Sequence, residues 1–538
     1  MTRTPTVGQR SRTGSQLVID RLVAHGVDTV FGIPGTHSLA LYESLAASHI
    51  THVTPRHEQG AGYAADGYAR ISGRAGVVLT TSGPGLLNAA AAAGQAYSDS
   101  VPLLFISPGM PLGHRPGAGL LHEAKDQSAA MAAICGWSRR VTEPEEITAV
   151  LDEAFAGFAS GRPRPVHLEI PWDLLDAPAA TVSAPLSASR PPVPSRDDVA
   201  EAAGALARAR RPVVIAGGGA RGAAAAVTAI AELLGAAVVT TVNGKGVLSE
   251  YHPLSLGTGL HLEAVRSALA EADTVLAVGT ELSAADTWDA PLPLPGVVLR
   301  VDIDPEQLHR NARADHTVAG PASAALELIW TALLEAKVGG ERLPGEHVAR
   351  WKAATVAEAT AAGAPWARLI TALREVLPAK TVLVNDSAGV CYHGATAGFP
   401  VERPGSFLYP TGFGTLGYAL PAAIGAKTAR PDRPVVALSG DGGMQFTVNE
   451  LATAAELGMP LPVLVVENGG YGEIRKQMLH RGASPLGTDV RGPDFAALAR
   501  AYGGVGVHAG SAQEAAEQVL AGLRSPGPTV VVIKESSC

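Results

Sequence analysis

The chain has few cysteines, no basic block and no long apolar run, and each of these absences argues against a class of protein. Its three cysteines, Cys135, Cys391 and Cys538, are widely spaced and odd in number, which predicts neither a disulfide framework nor a zinc site. No apolar segment approaches the ~18 residues of a membrane-spanning helix. The formal net charge is −8 without a basic block, which argues against nucleic acid or an anionic membrane as a partner. A reducing cytoplasm is the simplest expected setting.

Length and composition predict a large globular protein of several domains. With 538 residues, of which 46% are hydrophobic, the chain is long enough for about three domains with substantial cores. Short apolar runs alternate with segments of helical apolar spacing, which is typical of doubly wound, parallel α/β sheets. We therefore predict three such domains, at residues 15–175, 197–335 and 366–538.

The segments outside these domains are expected to be connections. Residues 177–196 are dense in Pro, Ser and Ala, which predicts a linker, and residues 335–365 predict a polar, partly helical connection. The leader, residues 1–14, lacks the apolar core of a secretory signal, and we expect it to be a frayed terminus.

Two turns in the last predicted domain carry candidate ion ligands. One apolar strand ends in GDGG at 440–443, where glycines let backbone N–H groups approach an anion and Asp441 supplies a carboxylate. The next apolar strand ends in ENGG at 467–470, which includes Asn468. In a right-handed βαβ unit both turns lie at the carboxyl edge of the sheet, so we expect the two side chains to be close.

The ligand chemistry of these turns predicts a metal that is shared with a phosphate. One carboxylate, one amide oxygen and a turn carbonyl are too few for a protein-only Ca²⁺ site, but they suit Mg²⁺ whose other ligands are phosphate oxygens and water. Between the turns, Thr447 and Glu450 form a T-x-x-E pattern that predicts a capping box and a helix over 448–457. The stretch therefore predicts a diphosphate-bearing cofactor held through Mg²⁺.

A glycine pattern in the predicted central domain supports an alternative. Gly217, Gly219 and Gly222 follow an apolar strand in G-x-G-x-x-G register, which is typical of NAD(P) or FAD binding. The next strand ends at residues 243–245, Asn-Gly-Lys, without the acid that would bind a ribose hydroxyl. A glycine turn of structural use is favoured, and a flavin or nicotinamide oxidoreductase is the alternative interpretation.

The GDG turn, with Asn468 at the expected spacing, resembles the thiamine diphosphate signature of the acetolactate synthase and 2-oxo acid decarboxylase superfamily. Further segments match that superfamily in order: HEQGAGYAADGYAR at 57–70, TSGPG at 81–85 and SDSVP at 98–102. The nearest pattern is that of 5-guanidino-2-oxopentanoate decarboxylases, which FGIPGTH at 31–37, RHEQGAG at 56–62 and LHE at 121–123 resemble. One departure is Glu467, where the superfamily usually has a first asparagine before the metal ligand.

The resemblance implies how the cofactor is held. It implies three doubly wound domains: a pyrimidine-binding domain, a central domain and a diphosphate-binding domain. It also implies that Mg²⁺ is bound by Asp441, Asn468 and the Gly470 carbonyl. Gly414 would accept a hydrogen bond from the 4′-amino group, and Leu416 would wedge the cofactor into a bent shape. Taken together, the predicted cofactor-binding residues are Glu58, Gly414, Leu416, Gly440, Asp441, Gly442, Gly443, Asn468, Gly470 and Tyr471.

The predicted catalytic residues are Glu58, His122 and His37. Glu58 would bond N1′ of the aminopyrimidine, whereas its plain interpretation is an acid favoured at a helix N-terminus. Four histidines are candidate proton donors, namely His37, His57, His122 and His393. Each of them could equally be a surface histidine or a structural one. We favour His122, which stands where acetolactate synthases have a substrate-side glutamine, and His37, whose turn faces the same sheet edge.

The implied reaction is non-oxidative decarboxylation of a 2-oxo acid to an aldehyde and CO₂. The alternative is an acetolactate synthase-like carboligase, which condenses the decarboxylated intermediate with a second carbonyl compound. FAD is doubtful, because residues 280–283 read TELS where acetolactate synthases carry Arg-Phe-Asp. A guanidinium substrate would need an acid; Glu473 is a candidate, although it could equally be a solvated turn acid.

The resemblance also implies an assembly. In relatives the cofactor lies between the first domain of one subunit and the third domain of another, so we expect a homodimer or homotetramer with active sites at subunit interfaces. Glu58 and Asp441 of different subunits would then complete one site.

Overall fold

The computed structural model describes residues 12–179, 190–338 and 345–538, which form two compact units. The first unit contains the described residues up to 179 except 70–72, and the second contains 70–72 and everything from 190 onward. Parts of the predicted leader, linker and connection, namely residues 1–11, 180–189 and 339–344, lie outside the described residues.

A parallel sheet of six strands forms the centre of the first unit. The strands of this unit are β1 (Arg12–Thr13), β2 (Thr29–Gly32), β3 (Thr51–Val53), β4 (Gly76–Leu79), β5 (Leu103–Gly109), β6 (Trp137–Arg140), β7 (Val166–Pro171) and β8 (Pro178–Ala179). The sheet order is β3-β2-β4-β5-β7-β6, while β1 and β8 form a separate antiparallel pair. The helices along this part of the chain are α1 (Gly14–Ala24), α2 (Leu39–Ala46), α3 (Glu58–Ser72), α4 (Pro84–Asn88), α5 (Ala90–Asp99), α6 (Gln127–Ala132), α7 (Glu146–Ser160) and α8 (Trp172–Asp176); residues 70–72 of α3 are counted with the second unit.

The second unit holds two further parallel sheets, of which the first is the central one. Its strands are β9 (Pro212–Ala216), β10 (Ala237–Thr240), β11 (Ser255–Thr258), β12 (Thr274–Val278), β13 (Val297–Asp302) and β14 (His316–Ala319), in the order β11-β10-β9-β12-β13-β14. The helices that follow the chain through this part are α9 (Arg196–Arg208), α10 (Ala224–Leu234), α11 (Glu263–Glu271), α12 (Ala284–Thr287), α13 (Ala322–Glu335) and α14 (Glu346–Ala362).

The third sheet has the same kind of topology. Its strands are β15 (Val382–Asn385), β16 (Phe407–Leu408), β17 (Val435–Gly440), β18 (Pro462–Glu467), β19 (Val505–Ala509) and β20 (Thr529–Lys534), in the order β16-β15-β17-β18-β20-β19. Its helices are α15 (Ala367–Val376), α16 (Thr396–Gly398), α17 (Ala419–Ala429), α18 (Asp441–Thr447), α19 (Glu450–Glu456), α20 (Gly472–His480), α21 (Phe495–Ala501) and α22 (Ala512–Gly522). Three parallel six-stranded sheets with helices between their strands confirm the predicted fold class.

The strand orders explain where the sites lie. In each sheet the order in which strands are added reverses between two neighbouring parallel strands. Ligands of open α/β sheets bind at the carboxyl ends of such strands. These pairs are β2 and β4, β9 and β12, and β15 and β17. The apolar runs that form the sheets, such as PVVIA in β9, are completely buried, as expected for parallel strands covered on both faces.

Two sequence predictions about local structure are wrong. Arg12 and Thr13 pair with β8, and Thr13 caps α1 in a capping box with Gln16, so the predicted frayed terminus does not extend to residue 14. The predicted capping box at Thr447 does not form, because the helix starts six residues earlier, at Asp441. The hydroxyl of Thr447 donates instead to the Gly417 carbonyl at 2.7 Å.

A buried ion pair connects the central and last sheets of the second unit. Lys245 donates to both carboxylate oxygens of Glu250, at 2.7 and 2.6 Å, and to the Thr396 carbonyl at 2.7 Å. Glu250 also accepts from the Val401 backbone at 2.8 Å. Removing one partner of such a pair would leave the other charge buried and uncompensated, which costs about 3–5 kcal/mol.

The glycine pattern of the central sheet has a packing role. A Cβ on Gly217 would lie 2.2 Å from the Gly279 carbonyl oxygen, and a Cβ on Gly219 would lie 2.9 Å from the Gly279 Cα. The loop after β9 therefore packs directly on the backbone after β12, which favours the structural interpretation of this G-x-G-x-x-G segment.

Candidate cofactor site

The GDGG turn forms the end of β17 and the start of α18 in the second unit. The Asp441 carboxylate, only 6% exposed, accepts backbone N–H groups from both turns: Gly442 at 2.9 Å, Gly469 at 2.8 Å and Gly470 at 3.1 Å. Because β17 and β18 are parallel neighbours, their carboxyl ends bring the two turns side by side, as expected from the sequence.

Asn468 completes a cluster of three oxygen-bearing groups. Its side-chain amide can donate to Asp441 Oδ1 at 3.2 Å and to the Gly470 carbonyl oxygen at 3.0 Å. A rotation of the amide by about 180° presents its oxygen at the same place, because the two amide orientations are nearly isosteric. A carboxylate, an amide and a carbonyl that meet at one point are hard donors suited to Mg²⁺, so these residues fit the implied metal.

The glycines of the GDGG turn lie so close to neighbouring residues that a side chain at these positions would be crowded. A Cβ on Gly442 would lie 3.0 Å from the Tyr471 ring, and a Cβ on Gly440 would lie 3.1 Å from Ala388. A Cβ on Gly443 would lie 3.0 Å from the carboxyl carbon of Asp386. The turn thus needs glycines at closely packed positions, and Tyr471 packs beside it.

Asp386 is a site residue that the sequence interpretation missed. It is buried at the end of β15 and accepts from the backbone of Ser387 at 2.8 Å, from Gly417 at 3.0 Å and from the Ser439 hydroxyl at 3.2 Å. Burial raises the pKa of Asp386 above its ordinary value, although these hydrogen bonds oppose that shift. An acid directly after an apolar strand was the available signal, the same one that pointed to Asp441.

The loop with Gly414 and Leu416 is held at its far end. The Gly417 backbone donates to Asp386, and its carbonyl accepts from Thr447, so the loop is anchored on both sides. Gly414 is exposed with a φ of +63°, a left-handed conformation that favours glycine, and Leu416 is half-buried. Their contacts with the cofactor stay predictions.

Glu58 lies in the first unit at the start of α3. His57 is the N-cap of this helix, with its Nδ1 accepting from the Gln59 backbone at 3.1 Å, so it has a structural role. The Glu58 carboxylate accepts from the Asn88 side chain at 3.0 Å. A Cβ on Gly85 would lie 3.2 Å from a Glu58 oxygen, so the TSGPG segment packs against this acid.

The structure brings His37 and His122 together in the same unit. Their ring centroids are 5.2 Å apart, and His37 bonds the Ser82 hydroxyl through Nδ1 at 2.7 Å. Burial, together with nearby His122, lowers the pKa of His37 below its ordinary value. Because His37 follows β2 and Ser82 follows β4, both lie where the sheet order reverses.

The backbone at His122 is strained, which sequence reasoning did not predict. His122 has a φ of +63°, and its carbonyl oxygen lies so close to Gly83 that a Cβ there would be 2.2 Å away. Its buried Nδ1 has no hydrogen-bond partner among the residues that the structure describes. The fourth candidate, His393, lies in the second unit, where it lines a cavity.

Comparison with known families agrees with this geometry. Models described as thiamine pyrophosphate enzyme match the chain with the N-terminal TPP binding domain at residues 12–130, the central domain at 199–329 and the C-terminal TPP binding domain at 387–533. The chain therefore belongs to the thiamine pyrophosphate enzymes, and thiamine diphosphate is its cofactor.

Individual relatives narrow the class further. The chain is 43% identical to the "probable 2-ketoarginine decarboxylase AruI" of Pseudomonas aeruginosa over 99% of this chain and 96% of that protein. It is 32% identical to a "probable acetolactate synthase large subunit" of Methanocaldococcus jannaschii, over 91% and 86% of the two chains, and 36% identical to the "acetolactate synthase" of Mycobacterium bovis, over 93% and 84%. The recognised superfamily is confirmed, and the chain is an enzyme of this decarboxylase and acetolactate synthase type.

The helices of the protein are too short or too polar to span a membrane in the part of the chain that the structure describes. Within residues 12–179, 190–338 and 345–538, no helix combines the length and the apolar character needed to cross a bilayer.

Proposed function

We propose that the protein is a Mg²⁺-dependent decarboxylase that converts 5-guanidino-2-oxopentanoate, also called 2-ketoarginine, to an aldehyde and CO₂. The observation that carries the chemistry is the meeting of Asp441, Asn468 and the Gly470 carbonyl at one point. The substrate is supported by the full-length similarity to a probable 2-ketoarginine decarboxylase.

The residues of the second unit would hold the cofactor's diphosphate end. Asp441, Asn468 and the Gly470 carbonyl would bind Mg²⁺, and the turn glycines would allow close approach of the phosphate oxygens. Asp386 positions the loop that carries Gly414 and Leu416. When bound, the cofactor supplies a carbon nucleophile for the 2-oxo group and an electron sink for loss of CO₂.

The residues of the first unit would move protons. Glu58 holds a proton at N1′ of the aminopyrimidine, and Asn88 orients its carboxylate. His37, held by Ser82, has a lowered pKa, so its ring is neutral near pH 7 and can exchange a proton with the reacting substrate. His122 lies beside it and can take part in the same transfer.

A second candidate is acetolactate synthase-like carboligation, which the similarity to acetolactate synthases favours at 32–36% identity. FAD is not expected to be needed, because the central glycines pack on the Gly279 backbone. We propose a homodimer or homotetramer in which Glu58 and Asp441 of different subunits complete each active site.

Product analysis tests this function. Purified protein with thiamine diphosphate and Mg²⁺ receives either 5-guanidino-2-oxopentanoate or pyruvate, and CO₂ and the organic products are identified. We expect 4-guanidinobutanal and CO₂ in equal amounts from the guanidino acid. Prior removal of Mg²⁺ with a chelator should abolish turnover, and restored Mg²⁺ should return it, because Asp441 would hold the cofactor through the metal.

Two results would overturn the proposal. Acetolactate from pyruvate, with no turnover of the guanidino acid, would assign the protein to the carboligases. CO₂ from neither compound would exclude both candidate functions under these conditions.

A further inference from the structure

A cavity of about 310 Å³ lies within the second unit, outside the cofactor residues described above. It is bounded by the carboxyl end of β10, the segment after β11, residues 285–288, residues 392–411 and the start of α20. The residues that line it include His261, His393, Trp288, Tyr392, Asp286 and Glu473.

Aromatic rings form one wall of this cavity. His261 and Trp288 stack with ring centroids 3.8 Å apart and an interplanar angle of 7°. His393 meets Trp288 edge-on at 5.4 Å, and Tyr392 meets His393 at 4.7 Å. Burial lowers the pKa of His261 to about 4, so this ring is neutral at pH 7 and does not repel a cation.

An acid faces these rings. Glu473, half-buried in the first turn of α20, lines the cavity together with Tyr392, and its Oε1 is 3.4 Å from the Gln477 side-chain amide nitrogen. Burial, and then the charge of Glu473, raise the pKa of Tyr392 above its ordinary value, which keeps this phenol neutral. Lys476, three residues further along the same helix, packs over Trp366 at 5.7 Å from that ring.

The aromatic residues of this cavity lie in segments with unusual backbone conformations. Trp288 has a φ of +51°, which is rare for a bulky residue and costs free energy. Tyr392 and His393 lie in a π-helix at Val390–Ala395, a geometry that occurs frequently at functional sites. Two separate departures from regular structure therefore place aromatic side chains around the same cavity.

We infer that this cavity binds the guanidinium group of the substrate, with Glu473 as the counterion and Trp288, stacked on His261, as the planar surface. This inference rests on the proposed function and names its specificity residues. A guanidinium is planar, carries five N–H donors and stacks on aromatic faces, so it matches a carboxylate beside a ring. Glu473 lines the cavity and follows the proposed metal ligand Gly470 by only three residues, so the cavity adjoins the turn at residues 467–470.

The test compares the guanidino acid with its uncharged isostere, 5-ureido-2-oxopentanoate, on the holoenzyme. We expect wild type to prefer the guanidino acid in kcat/KM, and Glu473→Gln to reduce this preference by about 10- to 100-fold, the value of a hydrogen-bonded charge pair. Glu473→Asp should retain part of it. Glu335→Gln, the same chemical change at an exposed helix end, should leave the preference within about threefold of wild type.

A second variant and a binding measurement separate recognition from folding. Trp288→Leu, which leaves α20 unchanged, should lower the preference by about 3- to 30-fold through loss of the stacking surface. Calorimetry with 5-guanidinopentanoate and 5-ureidopentanoate, which lack the reactive carbonyl, should show the same loss of preference for the cation in both variants.

The possible failures are distinguishable. If wild type decarboxylates the guanidino acid and both variants keep the full preference, the inference is wrong and the proposed function stands. If wild type releases CO₂ from neither acid, the proposed function is wrong, and calorimetry decides the inference: no preference of wild type for the guanidinium ligand overturns it, whereas a preference lost in Glu473→Gln supports it.

Discussion

Replacing Glu58 by glutamine is expected to lower kcat for 2-oxo acid decarboxylation by about 10²- to 10⁴-fold, the usual contribution of a general acid–base residue. Glutamine keeps the size of the side chain and an oxygen that can accept from Asn88, so the local packing should persist. It cannot exchange a proton at N1′. The measurement is single-turnover release of CO₂ at saturating cofactor, which reports the chemical step directly.

The control for this variant is Glu43→Gln, the same change at an exposed position of α2, which should keep activity within about twofold of wild type. Thermal unfolding of Glu58→Gln should match wild type. Activity within about threefold of wild type would show that Glu58 is only an acid favoured by the helix N-terminus.

Co-expression of two inactive variants is expected to restore about one quarter of wild-type activity in the unselected mixture of dimers. Asp441→Asn removes the carboxylate that we assign to Mg²⁺, and Glu58→Gln removes the proton carrier. If each site combines Glu58 of one subunit with Asp441 of another, a mixed dimer has one doubly altered site and one intact site. Random pairing makes half of the dimers mixed, which leaves about a quarter of all sites intact.

Co-expression of the two variants with different affinity tags provides the measurement. Retention of both tags on either resin proves that mixed assemblies form, and Glu58→Gln co-expressed with itself under both tags is the matched control. Mixed assemblies that are no more active than either parent would show that each site lies within one subunit.

The sheets could be predicted from the sequence because completely buried parallel strands are continuous apolar runs. The same logic located Asp441 and Asn468, since both directly follow such runs and β17 and β18 are neighbours. The helix start could not be predicted in this way. Asp-Gly-Gly has poor helix propensity, yet these residues form the first turn of α18.

The side-chain environment of the candidate site was less predictable. Asp386 contacts Gly417 and Ser439, which are 31 and 53 positions away in the sequence, so only the folded sheet shows its role. The left-handed Trp288 and the π-helix with His393 are conformations that the local sequence disfavours and that tertiary contacts impose. These are the places where a sequence pattern alone carries least information.

The central claim is that Asp441, Asn468 and Gly470 hold one end of the cofactor while Glu58 serves the other. A crystal structure of the protein with thiamine diphosphate and Mg²⁺ tests it most directly. We predict Mg²⁺ at about 2.1 Å from oxygens of Asp441, Asn468 and the Gly470 carbonyl, with Glu58 of the partner subunit within hydrogen-bond distance of N1′. A metal bound by other residues, or a Glu58 carboxylate remote from the aminopyrimidine, would contradict the account.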